Sequence, residues 1–156
     1  MSFHREILTP TQGEALGILG PQVAPDGFYL GGGTAVALHL GHRRSEDFDW
    51  FTPGRFPDPL SYAQKLRSHG LDLGDVQVAP GTLHGAVQGI RVSFFAYLYP
   101  SLTTPIAWPE YAFAVASLDD LACMKLAAVA QRGSRKDFMD VYAIARRHKP
   151  LPRSEE

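Results

Sequence analysis

Asp47 and Asp49 are the residues of this sequence whose types and spacing most directly imply chemistry. They lie in Asp47-Phe48-Asp49-Trp50-Phe51, where strand alternation puts both carboxylates on one face and turns Phe48 and Trp50 toward a core. Two carboxylates side by side repel each other in a low dielectric, and a cation between them relieves the repulsion. Mg²⁺ suits such a place, because it takes one or two carboxylates and fills its other positions with substrate phosphates. Upstream, the apolar run Phe28-Tyr29-Leu30 reads as a buried strand, followed by Gly31-Gly32-Gly33-Thr34 and an alanine-containing apolar helix. Glycines allow close backbone approach, and amides at a helix start favour an anion. The unit from Tyr29 to Phe51 therefore reads as a phosphate cradle, with Gly32, Gly33 and Thr34 receiving phosphate, joined to a metal holder.

Other glycine-turn chemistries do not fit. Val36 stands where a dinucleotide-binding fingerprint needs its third glycine, and no Gly-Lys-Ser/Thr follows to make a P-loop. A tight strand-to-helix turn without a ligand would explain the glycines alone, but it leaves the acid pair unexplained. Thr34 can cap the helix, bond a phosphate oxygen, or both. Arg43 and Arg44, in the polar turn before Asp47, either reach triphosphate oxygens or form a solvated turn, and the sequence does not choose between the two arginines. His39 and His42 have no metal-ligand partner at helical or zinc-finger spacing and read as ordinary polar residues.

Leu30-Gly31-Gly32-Gly33-Thr34, then Arg43-Arg44-Ser45 and Asp47-Phe48-Asp49, resemble the nucleotidyltransferase signature of small-residue turn, helix and paired-Asp strand. A second segment runs from Leu118-Asp119-Asp120-Leu121 through Lys125 to Arg132-Gly133-Ser134-Arg135-Lys136-Asp137-Phe138-Met139-Asp140. The two together, spanning Tyr29 to Tyr142, are similar to the AbiEii/AbiGii nucleotidyltransferase toxin family, the toxin arm of abortive-infection toxin–antitoxin systems. The resemblance implies an α+β nucleotidyltransferase-like fold: a small mixed sheet with helices packed against one side and a C-terminal helix pair. It implies transfer of a nucleoside monophosphate from an NTP to a hydroxyl of RNA, such as a tRNA end, or of a protein. Asp47 and Asp49 would hold Mg²⁺, Lys125 would contact the triphosphate, and Asp137 or Asp140 would assist acceptor activation or form a salt bridge to Lys125 or Arg132. A cognate antitoxin is the implied partner. The family pattern has a third carboxylate near Ser93, and serine is neutral and a poor metal ligand. That departure, with a chain shorter than the usual toxin, leaves a catalytically impaired, nucleotidyltransferase-fold binding module as the alternative.

The composition agrees with an ordinary globular chain. With 156 residues, 45% of them apolar, one domain over 1–156 can bury a core, with its centre over 28–100 and terminal helices over 117–148. A net charge of −1 gives no global attraction to nucleic acid. The single Cys123 cannot close an internal disulfide, MSFHREILTP has no signal-peptide apolar core, and no run is long enough to span a membrane, so a cytoplasmic protein is expected.

The remaining elements must position these residues. Thr9-Pro10-Thr11-Gln12 opens a helix with Ala15, Leu16, Ile18 and Leu19 inward and Gly20-Pro21 as its stop. Asp58-Pro59 starts a helix with Leu60, Ala63 and Leu66 on one stripe, ending at Gly70. Asp75 to Pro100 reads as a β-meander turning at Pro80-Gly81 and Gln88-Gly89, with His84 and Tyr97 as sheet-face residues. Ser101 to Ala116 reads as an irregular crossing. Ser117 caps a helix that buries Leu121, Met124 and Ala128, and Lys125 on it either snorkels to solvent or reaches the substrate. Ser134 caps the last helix, with Asp137 as capping-box acid and Phe138, Val141, Tyr142 and Ala145 as its apolar stripe. Leu151 to Glu156 is expected to be a frayed polar tail.

Overall fold

The protein is described from a computed structural model covering residues 3–147; the expected tail lies outside the described residues. Its elements are α1 (Pro10–Val23), β1 (Tyr29–Gly31), α2 (Gly32–Leu40), β2 (Phe48–Thr52), α3 (Pro59–Ser68), β3 (Leu73–Ala79), β4 (Thr82–Val87), β5 (Ile90–Ala96), β6 (Ile106–Trp108), β7 (Phe113–Val115), α4 (Leu118–Gln131) and α5 (Arg135–Arg147). The strands form one mixed sheet in the order β3-β4-β5-β2-β1-β7-β6. β2 lies at the centre, antiparallel to β1 and parallel to β5. That register aligns Gly31 with Asp49, and Asp49 with Ser93.

Alternation divides the sheet into two faces. Phe48 and Trp50 are fully buried, as are Leu30, Val92 and Phe94 beside them. Tyr62 of α3 packs on Phe94, and Phe113 of β7 packs edge-on against Trp50. α1 crosses this same face so closely that a Cβ on Gly20 would meet the Phe113 ring. The opposite face carries Asp49, Phe51 and Phe95, and α4 lies over it. Helices thus cover both faces rather than the single face expected, because the central strands are apolar on the Trp50 side and only partly polar on the other.

Several sequence-based expectations change. The capping box of α1 forms as read, with Gln12 N–H donating to Thr9 Oγ1 at 3.1 Å and Thr9 N–H donating to Gln12 Oε1 at 2.9 Å. The helix nevertheless runs through Gly20-Pro21 to Val23. A proline in the last turn gives up a single N–H bond, and the helix ends within two residues of it. Ile18 and Leu60 are exposed rather than inward. The segment read as an irregular crossing contains β6 and β7, and β7 extends the sheet by pairing with Leu30 of β1. Among the described residues no helix is long and apolar enough to cross a membrane.

α5 departs furthest from its expected orientation. Phe138 and Tyr142 are 54% and 62% exposed, while Asp137 and Asp140 are 1% and 0% exposed. The helix buries its carboxylates and leaves its aromatic stripe outside. Buried acids are tolerated only when paired, and their partners come from three other parts of the chain.

Candidate active site

β1 delivers the chain to the glycine turn with Gly31 in extended conformation. Gly32 then takes φ +66, a conformation in which side chains are disfavoured. A Cβ there would lie 2.4 Å from Asp49 Oδ2. The turn and the carboxylate are therefore in direct apposition, and the first amides of α2 open beside Asp49. One residue on, a Cβ at Gly33 would lie 2.4 Å from Arg43 Nη2 and 3.4 Å from Asp140 Oδ2. The glycines separate the acid pair on one side from an ion-pair cluster on the other.

Asp140 is the centre of that cluster. Its Oδ1 accepts from His42 Nε2 at 2.8 Å and Arg43 Nε at 2.9 Å, and its Oδ2 from Arg43 Nη2 at 2.9 Å and Lys125 Nζ at 2.8 Å. Asp137 accepts from Lys125 Nζ at 3.1 Å, from Arg132 Nη2 at 3.1 Å and Nε at 3.2 Å, and from Ser134 Oγ at 2.7 Å. Burial pushes the carboxyls of both acids up, but the hydrogen bonds and cations outweigh it and hold Asp137 below its ordinary value and Asp140 well below the usual carboxylate range. Both stay ionised and saturated with donors, which makes them poor proton acceptors. Through these contacts they hold Lys125, Arg43 and Arg132 in place.

Asp49 has the opposite environment. Burial and the neighbouring Asp47 charge push its carboxyl up to about 6, against the pull of Lys125 and Arg132. Asp47 sits just before β2 and is exposed. This pair has two hard oxygen donors, mutual repulsion and no cation bonded between them, a donor set that fits Mg²⁺. Among the described residues no group of three or more His, Cys, Asp or Glu side chains gathers to cage a metal ion. Mg²⁺ would therefore complete its shell with phosphate and water.

Two cavities meet at Asp49. The smaller, about 270 Å³, is lined by charges of both signs: Arg43, Lys125, Arg132 and Lys136 stand with Glu46, Asp47, Asp49 and Asp137 around Gly33. The larger, about 480 Å³, runs between the sheet and α4.

A family model described as the nucleotidyl transferase AbiEii toxin of type IV toxin–antitoxin systems matches residues 16–155. The chain belongs to this AbiEii family. An uncharacterized protein of Aquifex aeolicus (strain VF5) is 41% identical over 122 residues, covering 78% of the chain and 59% of that relative. The chain therefore spans well under two thirds of that relative's length. Among solved structures it is similar to ANT(2")-Ia in complex with adenylyl-2"-tobramycin, with a TM-score of 0.54 at 11% identity over 88% of each chain. A solution structure of ANT(2'')-Ia gives a TM-score of 0.56 at 11% identity over 88% of this chain and 84% of that one. At that identity the likeness establishes the nucleotidyltransferase fold.

Within this AbiEii chain the residues singled out from sequence gather unevenly. Gly32, Gly33, Arg43, Asp47, Asp49, Lys125 and Asp137 line the two cavities. Lys125 is buried and bridges Asp137 and Asp140, so it does not snorkel. Arg44 lines neither cavity and reaches toward the Ile7 carbonyl at 3.5 Å. Thr34 does not cap α2. It is buried, and its hydroxyl contacts Ser45 Oγ and the Asp47 carbonyl, which anchors the loop carrying Asp47. Gln12 holds the same loop through the Ser45 carbonyl at 2.6 Å. His42, read as an ordinary polar residue, is instead part of the Asp140 cluster. Arg132 pairs with Asp137, one of the two salt-bridge partners expected for the acids of α5, and Lys136 joins it in lining the smaller cavity. Ser93 lies beside Asp49 in register, buried, with His84 Nδ1 at 2.8 Å from its Oγ.

Proposed function

We propose that this chain carries the catalytic centre of an AbiEii-type toxin, a nucleotidyltransferase that moves a nucleoside monophosphate from an NTP to a hydroxyl of RNA, such as a tRNA end, or of a protein. The observation that carries this reading is the Asp49 carboxylate packed against the Gly32 turn at the edge of a cavity lined by four cations. A triphosphate needs such an arrangement: backbone amides at a helix start, fixed cations, and a carboxylate pair able to share a metal. Asp47 and Asp49 would hold Mg²⁺, which when bound neutralises phosphate charge and orients the reacting oxygens. Arg43 and Lys125, preset by Asp137 and Asp140, would hold the β- and γ-phosphates and stabilise the departing pyrophosphate. The acceptor oxygen bonds to the α-phosphorus as the bond to pyrophosphate breaks, and the hydroxyl proton passes to solvent at the open side where Asp47 lies. A cytoplasmic setting and a cognate antitoxin belong to the same reading.

The test is transfer of label from each α-labelled NTP to total RNA and total protein, with Mg²⁺ and with chelator. Mg²⁺-dependent labelling lost in Asp49→Asn supports it, and its absence with every NTP and both acceptor pools rejects it. Ser93 beside Asp49 favours one second reading: without a carboxylate there, the domain binds nucleotide but transfers it poorly. Tight Mg·NTP binding without labelling, and labelling gained in Ser93→Asp, would identify that case.

A further inference from the structure

We propose that His84 is an acceptor-binding residue of the transfer centre, held in position by Ser93. This rests on the nucleotidyl-transfer reading and adds to it the side from which the acceptor enters. Asp49, Ser93 and His84 stand in one cross-strand row on β2, β5 and β4. Alternation puts all three side chains on the face opposite Trp50 and Phe94. Neighbouring strands are spaced so that the His84 backbone lies roughly 10 Å from that of Asp49. Ser93 fills the interval: it is buried, and its Oγ lies 2.8 Å from His84 Nδ1. That bond draws the ring toward Asp49. Phe95 meets the same ring edge-on at 5.8 Å, so the imidazole is held from two sides.

The bond to Ser93 occupies one ring nitrogen and leaves the other open. Among the described residues His84 Nε2 makes no hydrogen bond, and the residue is half-buried. The charged side chains on this face of β2 and β5 are Asp49 and Arg91, and Gln77 is the register partner of His84 on β3. Neither charge is paired with the ring. A histidine fixed through one nitrogen has the other aimed and available, which suits a group arriving from outside the fold. The incoming nucleotide does not call for it, because neither His84 nor Ser93 lines either cavity at Asp49. The acceptor is the remaining reactant. Its hydroxyls both donate and accept, so Nε2 can bond one in either tautomer of the ring. The acceptor then reaches Asp49 across the open face of β4 and β5, where Gln77 and Arg91 are exposed beside His84.

Three substitutions separate contact with the acceptor from a tie within the sheet. His84→Ala removes both bonds. His84→Asn places its amide where Nδ1 stands and keeps the bond to Ser93 alone. His84→Gln extends its amide to the position of Nε2. Each is compared with wild type for the initial rate of label transfer to total RNA or total protein, whichever wild type labels, with the acceptor limiting. Mg·NTP affinity is measured alongside by calorimetry, with the NTP that labels best. Transfer should fall on the order of tenfold in His84→Ala and His84→Asn, the scale of one lost hydrogen bond. It should recover at least in part in His84→Gln, and Mg·NTP affinity should be unchanged in all three. Recovery in His84→Asn but not in His84→Gln overturns the proposal, since His84 would then serve only to hold Ser93. Unchanged transfer in His84→Ala overturns it as well, as does an equal loss of Mg·NTP affinity; in each of these cases transfer by wild type keeps the nucleotidyl-transfer reading standing. A wild type that labels neither pool removes that reading and the proposal together.

Discussion

Asp49 and Asp140 are both carboxylates of the same cleft, and the chain treats them oppositely. Asp140 is surrounded by His42, Arg43 and Lys125, whereas Asp49 faces Asp47 and the glycine turn. Substituting each with asparagine should therefore move stability in opposite directions. Asp49→Asn relieves a charge held against burial and repulsion; a carboxyl raised to about 6 corresponds to a gain of up to about 3 kcal/mol at neutral pH. Mg²⁺-dependent NTP binding should be lost in the same variant. Asp140→Asn leaves buried cations uncompensated and should cost about 3–5 kcal/mol. Thermal melts of the two variants beside wild type check the signs. A less stable Asp49→Asn would mean that Asp49 is not strained by its surroundings. Lys125→Met keeps the volume and removes one of several cations from the cluster. It should weaken Mg·ATP binding by about tenfold or more, the scale of a lost charge-assisted hydrogen bond. Calorimetric titration against wild type measures it, and unchanged affinity would reduce Lys125 to a structural tie.

The glycine turn between β1 and α2 sets the distance between the acid pair and the cation cluster. Gly32→Ala combines a left-handed backbone with a Cβ placed 2.4 Å from Asp49 Oδ2. Strain of roughly 1–2 kcal/mol is expected from the backbone alone, and displacement of Asp49 should abolish Mg²⁺-dependent nucleotide binding. Gly33→Ala meets Arg43 Nη2, which Asp140 holds from the other side, so it should displace that guanidinium, cost some stability and lose affinity mainly for the phosphate chain. Paired melting and tripolyphosphate-binding measurements separate the two; equal behaviour of the variants would contradict the geometry. α5 shows why periodicity misled at the scale of an element. Its apolar stripe at Phe138, Val141 and Tyr142 is genuine in sequence, yet the helix is turned by Asp137 and Asp140. Four donor side chains on other segments bind those carboxylates, and rotating the aromatics inward would strand them.

Across the whole molecule the opposed acids give stability a defined pH dependence. Asp49 has its carboxyl raised when folded, so its contribution is fully present below the unfolded value near 3.9 and is lost as pH rises through about 6. Asp137 and Asp140 have theirs lowered, so their contributions are present above the unfolded value and are lost as pH falls through the lowered folded values. Denaturant unfolding followed from pH 3 to pH 8 should therefore show stability falling between about pH 4 and 6 on the alkaline side and falling again on acidification. The first decline should vanish in Asp49→Asn, and its persistence there would place its origin elsewhere. Binding of Mg²⁺ at the proposed site should run the other way, weakening as pH drops below about 6, because Asp49 would have to be ionised to ligate.

The sequence by itself determined the local units: the turn from Leu30 to Thr34, the alternation of Asp49 against Phe48 and Trp50, the caps at Thr9, Ser117 and Ser134, and the meander through Gly81 and Gly89. These follow from backbone conformation, capping and alternation, which act over a few residues. Tertiary structure decided the rest. It brought Arg43, and not Arg44, to Asp140 and the cavity, turned Thr34 inward to hold the Asp47 loop, made His42 a partner of Asp140, and set Asp137 and Asp140 to holding cations. It also added β6 and β7 to the sheet, through short strands: β7 pairs with β1 and β6 with β7, with no local signal for either. Each of those outcomes depends on which distant charge or strand edge arrives beside a residue, and no periodicity within one segment encodes that.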